Sequence, residues 1–394
     1  MELVKYEIYK IFSRKSIYVV FLLFIVMFSG EVISDSAYNN DKFGSKDTII
    51  KEYVKLEGDI KEDRIRDSKE YVKSMVRDKK VDRIDYSDYN PEESLKLKIY
   101  KDYAFQGRET YTTIQGEWDE IYTLSSVEEN INKLKEDGEE NSFKYRENLK
   151  IKDLLNNIED DEFNYLGSWE SLITSFTGTA AIIGILLILG LSEIFSGEDI
   201  SNMNLLILSS RHGRKKSIFS KLGAAALYSL IVFLAVTIFS MMVPIILNGL
   251  NNGDTASLRD IGEFTSSPYE ISVAKYYLFA NIFRFIVILA FAIIVTFISS
   301  LTKKPMMTMF ISLVILSYGD IIIAFKILRE SFISVLGYLS PLKLMQVNIV
   351  FREFKAFNIF GYPVLYPVMA IIAMIVVILI CTSLSYYKVK NREA

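Results

Sequence analysis

The apolar positions of this chain fall into six runs, separated by polar stretches of very unequal length. The runs cover about Ile17–Ser36, Ser171–Leu191, Leu222–Leu247, Tyr276–Leu301, Met306–Leu328 and Tyr362–Leu384. Each is close to or above the ~20 residues needed to cross ~30 Å of hydrocarbon, which predicts an all-α membrane protein with six transmembrane helices. Ahead of the first run, residues 1–15 put Leu3, Val4, Ile8, Ile11 and Phe12 at helical spacing, with Lys5, Lys10, Arg14 and Lys15 largely elsewhere. This pattern predicts an amphipathic helix lying in the membrane interface. A cleavable signal peptide is the competing reading, but the run lacks an Ala-x-Ala-like site and continues into Gly30 and Glu31.

The longest polar stretch, residues 37–170, contains almost no long apolar run and must be aqueous. Apolar residues recur there at three and four spacing, in Ile49, Ile50, Tyr53 and Val54, in Tyr71, Val72, Met75 and Val76, and in Ile121, Leu124, Val127, Ile131 and Leu134. That periodicity predicts a mainly helical domain. Its many aromatics, Tyr86, Tyr100, Tyr103, Tyr111 and Trp118 among them, read as core more readily than as a ligand platform. Between the fifth and sixth runs, Phe332–Leu339 is apolar but too short to cross, and Ser340-Pro341-Leu342 breaks it before the amphipathic Leu344–Phe354. Short pieces of this kind read as re-entrant or interfacial helices. The chain thus divides into residues 1–36, an interfacial helix and first span; 37–170, the polar domain; and 171–394, spans two to six, with a polar loop at 192–221.

Charge orients these elements. The net charge of -3 hides an asymmetry: residues 37–168 carry 32 Asp/Glu against 23 Lys/Arg, whereas the short segments assigned to the other side are basic. Lys5, Lys10, Arg14, Lys15, Arg211, Arg214, Lys215, Lys216, Lys221, Lys303, Lys304, Lys388, Lys390 and Arg392 make fourteen basic residues on one side. Arg259, Lys275, Arg329, Lys343, Arg352 and Lys355 make six in the short loops of the other. The bias predicts both termini in the cytoplasm and the large domain outside, as in a multi-pass plasma-membrane protein of a bacterium, and argues against nucleic-acid binding.

The 192–221 loop also carries a motif. Glu198 is followed by Asn202–Leu208, which is Leu-rich, then by Ser209, Ser210 and Arg211, and by Lys221 at the start of the third run. This order resembles the segment between the second and third spans of type-2 ABC exporter permeases. There an acidic residue, a small-residue turn, an amphipathic helix, a Ser/Pro-x-Ser-Arg turn and a Lys form the coupling helix that seats in a separate ATPase subunit. The family usually has Gly soon after the acid, where this chain has Ser201 and Asn202. The competing reading is a basic loop that only fixes topology. The lead-in helix and the Ser-Pro turn before the last span are likewise similar to the family's. The resemblance covers residues 1–36 and 171–394 and none of the polar domain. It implies ATPase-coupling roles for Glu193, Glu198, Leu205, Leu208, Arg211, Arg214 and Lys221. It also implies two ABC ATPase subunits carrying ATP and Mg, and a second permease chain, identical or not.

Catalytic chemistry finds little purchase here. No Gly-x-x-x-x-Gly-Lys-Ser/Thr occurs, so the chain has no P-loop and is not expected to be an enzyme or to bind a cofactor itself. Gly44-Ser45-Lys46 lacks the preceding glycine and strand and reads as a turn. One Cys, Cys381, and one His, His212, exclude a disulfide framework, a Cys/His metal site and most His-based catalysis within one chain; His212 reads as a loop residue and Cys381 as apolar packing. Charges inside spans remain, each costing about 2.5–3.5 kcal/mol on insertion scales. Arg284 and Asp320 lie at nearly the same depth and are expected to pair, extended by Asn281 and Tyr318, either as a gate or as an interhelical tie. Glu31 reads as a pathway lining or as a wetted side chain.

Three functions fit this pattern to different degrees. The first is the permease subunit of an ATP-driven exporter moving an amphipathic peptide antibiotic, a lipid-like compound or an ion, with antimicrobial peptide resistance as one outcome. The second is a membrane receptor or scaffold with an extracellular ligand-binding domain and no transport. An ion-coupled secondary transporter ranks last, because the chain shows no internal repeat and its acids sit near span ends.

Overall fold

The computed structural model describes residues 2–76, 84, 86–106, 113–116, 120–158, 162–200, 213–250, 252–324 and 332–390. The chain is mostly helical, with six helices long and apolar enough to cross a membrane. An amphipathic helix, α1 (Glu2–Phe12), precedes the first of them, α2 (Lys15–Phe43). Arg14, in extended conformation between the two, lets the chain turn. At 1.5 Å per residue, the 29 residues of α2 reach about 43 Å, beyond a ~30 Å hydrocarbon layer. Its last turns therefore stand in the polar domain, and the expected boundary at residue 36 falls inside a continuous helix.

The domain is built on that extension. Helices α3 (Lys46–Val54), α4 (Glu62–Met75) and α5 (Pro91–Gln106) pack beside the end of α2, around Phe43, Tyr53, Leu95, Ile99, Tyr103 and Phe163. Two short strand pairs brace it, β1 (Gly58–Asp59) with β4 (Glu162–Phe163), and β2 (Ile114–Gln115) with β3 (Ile121–Tyr122). Helices α6 (Leu124–Glu136), capped by Thr123, and α7 (Phe143–Asn156), capped by Ser142, form a second lobe. The core of that lobe includes Phe354 and Leu365 from the far end of the chain.

The remaining spans are α8 (Trp169–Leu191), followed by the short α9 (Ser196–Ile200), then α10 (Gly213–Asn248), α11 (Val273–Leu301), α12 (Pro305–Ala324) and α16 (Tyr366–Lys390). Helices α8 and α11 are the axis of the bundle: 61% and 67% of their apolar windows are buried, against 11% for α2 and 17% for α16. Between α12 and α16 lie α13 (Phe332–Tyr338), α14 (Pro341–Gln346) and α15 (Asn348–Arg352), with the expected break at Ser340 and Pro341.

The last span starts later than hydropathy indicates. Tyr362–Leu365 is strand β6, paired antiparallel with β5 (Ala356–Ile359) in a hairpin. Its two-residue turn, Phe360-Gly361, has both φ values positive, at 51° and 84°, as a type I′ turn requires. Asn358 closes the turn by accepting the Gly361 N–H at 2.8 Å.

Candidate functional site

At the bundle end opposite the polar domain, charged groups from three elements meet in a cluster whose centre, Lys221 with Glu7 and Glu198, is buried and whose edge, Lys10 and Glu193, is partly exposed. Helix α1 carries Val4, Glu7, Ile8 and Ile11 on one face, and Glu7 and Ile11 are buried against the bundle. Lys221, one turn or so into the apolar part of α10, is fully buried. Its ammonium donates to Glu198 Oε1 at 2.5 Å and to the Ile194 carbonyl at 2.5 Å, and lies 3.3 Å from Glu7 Oε1. Lys10 reaches the same Glu198 oxygen at 3.3 Å. Two of the Lys221 ammonium's three donors thus hydrogen-bond to Glu198 and Ile194, and Glu7 adds a nearby negative charge.

A second pair continues the cluster. Arg14 Nη1 donates to the carbonyls of Leu189 and Gly190 at 2.7 and 3.1 Å, capping the end of α8 where carbonyls lack helical partners. Its Nη2 lies 3.2 Å from Glu193 Oε2. Burial pulls the Arg14 pKa down, and Glu193 pulls it back up. Among the described residues, three acids, Glu7, Glu193 and Glu198, face three bases, Lys10, Arg14 and Lys221. Neutrality matters because an uncompensated charge in such a place costs several kcal/mol.

The break between α8 and α9 is held from the far side. Ser299 on α11 donates to the Ser192 carbonyl at 2.8 Å and accepts the N–H groups of Phe195 and Ser196 at 3.1 and 3.2 Å. The two ends of the 201–212 segment are consequently clamped to each other, to α1 and to the axial helix α11. Among the described residues, no group of three His, Cys, Asp or Glu could hold a metal ion.

Of the residues expected to couple, Glu198 and Lys221 pair with each other in the interior, whereas Glu193, partly exposed, pairs with Arg14. Leu205, Leu208 and Arg211 lie outside the described residues, as does the Arg214 side chain. Glu7 escaped the sequence reading, although an acid at helical spacing with Val4, Ile8 and Ile11 was the available signal. Its partner role needed the fold.

The expected Arg284–Asp320 pair does not form. Arg284, fully buried on α11, turns toward α8: Nη2 donates to Thr179 Oγ1 at 2.6 Å and to the Phe176 carbonyl at 3.2 Å. Asp320 on α12 instead pairs with Lys343 of α14 at 2.5 Å. Equal depth along two helices does not make their faces meet. Asn281 donates to the Tyr277 carbonyl of its own helix at 2.9 Å, Tyr318 is half-buried, and Glu31 is exposed on α2.

At the domain end, the backbone of the chain's last third is stitched to the domain. The Phe354 N–H donates to the Gln115 carbonyl at 2.7 Å, and the Gln115 N–H to the Ser266 carbonyl at 2.8 Å. Arg259, fully buried, donates to the Thr113 carbonyl at 3.1 Å and to the Ser267 carbonyl. Arg146 of α7 donates to the Gly361 carbonyl at 3.0 Å and lies over the Tyr362 ring. Set beside known proteins, the chain matches no family model, no curated protein and no solved structure.

Proposed function

We propose that this chain is the membrane-spanning subunit of an ATP-driven exporter of the type-2 ABC class. The observation that carries the reading is the ion-paired clamp, buried at Lys221, Glu7 and Glu198, that joins the described residues on either side of the 201–212 segment. A basic segment that only fixed topology would need no such seat. A segment that receives a push from a partner does, because force applied to a floppy loop is lost in the loop.

In this reading the clamp end faces the cytoplasm with both termini, and the polar domain lies outside a bacterial plasma membrane. Two chains, identical or not, would form the pathway, and two ATPase subunits would bind ATP and Mg. Residues Leu205, Leu208 and Arg211 would meet the ATPase, while Glu7, Glu193, Glu198 and Lys221 hold the seat from behind. The cargo class is an amphipathic peptide antibiotic, a lipid-like compound or an ion, moved outward. Its choice rests on the placement of the domain between the first and second spans.

Purification of the tagged chain from its native membrane in mild detergent, with mass spectrometry of what accompanies it, tests this. The expected result is a stoichiometric ATPase that Arg211→Ala removes without lowering the chain's melting temperature. A chain that arrives with no ATPase, in a preparation that keeps other complexes intact, would favour a receptor or scaffold whose outer domain binds a ligand.

A further inference from the structure

A cavity of about 480 Å³ lies where the polar domain meets the spans. That volume is in the range of sites that take small molecules or headgroups. One wall is the extension of α2, whose Ser36, Asn39, Asn40 and Phe43 fall at i, i+3, i+4 and i+7 and so share one face. Along the same helix, Phe24 and Phe28 pack on Phe239 of α10. The cavity therefore sits directly above the seam between the first and third spans, where the apolar part of α2 gives way to polar residues. In a membrane this is the headgroup level.

Its charges are unequally engaged. Asp102 accepts from Lys98 at 3.1 Å and from the Tyr53 hydroxyl at 2.5 Å. Asp260 accepts the Ser257 N–H at 3.1 Å. Lys46 and Lys101, which also line the cavity, have no carboxylate partner among the described residues. The Lys46 ammonium reaches across from α3 to Gly249 at the end of α10, so the two lysines come from different walls. Glu170 is the one lining acid without a hydrogen bond or ion pair among the described residues. Carboxamides of Asn39, Asn40, Asn164 and Asn248 add donors. Ammonium groups as point charges, with amide donors around them, are the chemistry that takes a phosphate.

We propose that this cavity binds a phosphate-bearing anionic headgroup, held by Lys46 and Lys101, with Glu170 opposing a second negative charge. The site requires only that the six apolar helices span a membrane, and it stands whether or not the chain exports anything. The same anion chemistry is offered by an anionic lipid and by a soluble phosphate ester, but the depth of the cavity along α2 favours the lipid.

The test uses the full chain in detergent, with native mass spectrometry of bound phosphatidylglycerol against phosphatidylcholine. Wild type is expected to prefer phosphatidylglycerol. Lys46→Gln with Lys101→Gln should lose that preference by roughly tenfold or more, since each lysine near an anionic headgroup contributes appreciably. Glu170→Gln should strengthen it several-fold. Lys133→Gln with Lys135→Gln, on the exposed α6, should leave it unchanged. Each single lysine variant should show part of the loss at an unaltered melting temperature, which separates binding from folding. Competition by glycerol 1-phosphate at millimolar concentration would assign the site to soluble phosphate esters; its absence would assign it to the lipid. An undiminished preference in the double lysine variant, or equal binding of the two lipids to wild type, overturns the proposal.

Discussion

Two fully buried cations, Lys221 and Arg284, show how burial alone fails to set what a charge does for stability. Lys221 faces two carboxylates and a carbonyl, so Lys221→Met leaves Glu7 and Glu198 sharing Lys10, the other ammonium among the described residues that reaches both, two carboxylates to one cation. Breaking a buried pair this way costs about 3–5 kcal/mol, and the thermal melt of the detergent-solubilised chain should fall accordingly. Adding Glu7→Gln and Glu198→Gln should restore most of the loss, because the excess carboxylate charge is then gone. Among the described residues Arg284 has a hydroxyl and a carbonyl but no acid, and its Nε makes no hydrogen bond. Thr179 keeps its own bond to the Ser175 carbonyl without it. Arg284→Met is therefore expected to leave the melt unchanged or raise it; if the chain does export a substrate, a loss of that export with the fold intact would show that the arginine is kept for function. In the polar domain the pH response follows from Tyr53 and Lys98. Burial, then Asp102, raises the Tyr53 pKa; attraction to Asp102 raises that of Lys98. Below their ordinary values of 10.0 and 10.5 neither group distinguishes folded from unfolded chain. Above them the unfolded chain loses its protons first, so stability falls as pH rises. Melts between pH 8 and pH 11 should decline less steeply for Tyr53→Phe than for wild type.

At the scale of elements, close approach decides which helices tolerate change. A methyl group at Gly319 on α12 would meet the Gly337 carbonyl oxygen at 2.5 Å as well as the Ser340 side chain. Backbone cannot swing aside, so Gly319→Ala should cost about 1–3 kcal/mol through overpacking. Gly184→Ala on α8 meets, at its nearest contacts, the Leu316 side chain, whose methyls can rotate, and should lower the melt less. Equal effects would mean that α13 and α14 are free to move off α12. The spans themselves were legible because lipid demands long apolar runs with internal hydrogen bonding. The Ser340-Pro341 break was legible for a related reason, since proline has no N–H to continue a helix. The β5–β6 hairpin was not: Tyr362, Val364 and Leu365 are as apolar as the span they precede, and hydropathy merges them with it. Nor was the Arg284–Asp320 error avoidable from depth alone, because counting residues along a helix gives height and leaves its rotation open. Glu7 had a pattern pointing inward, but the partner that makes an inward acid tolerable lies 214 positions away in sequence.

The whole molecule joins these pieces through its two best-buried helices. The clamp seizes the end of α8 and, through Ser299, the end of α11. At the other end of α11, the Tyr276 hydroxyl bonds Asn348 of α15 at 3.2 Å, and Asn348 in turn donates to the Ile173 carbonyl of α8 at 3.3 Å. From α15 the chain runs directly into Phe354, whose N–H is bonded to the polar domain. From the described residues flanking the 201–212 segment, packed helices and hydrogen bonds therefore run continuously to the domain. Packed interiors transmit strain because they have little free volume to absorb it. If an ATPase drives that segment, the complex trapped with a non-hydrolysable ATP analogue should show altered amide exchange at Gln115, Phe354 and the β5–β6 hairpin. Arg211→Ala should abolish the difference by releasing the ATPase. Lys221→Met combined with Glu7→Gln and Glu198→Gln should keep the ATPase bound but shrink the difference, because the seat no longer passes the push to α8. Unaltered exchange at the domain in an ATPase-bound, nucleotide-trapped complex would mean that the two ends move independently, and the clamp would then serve stability alone.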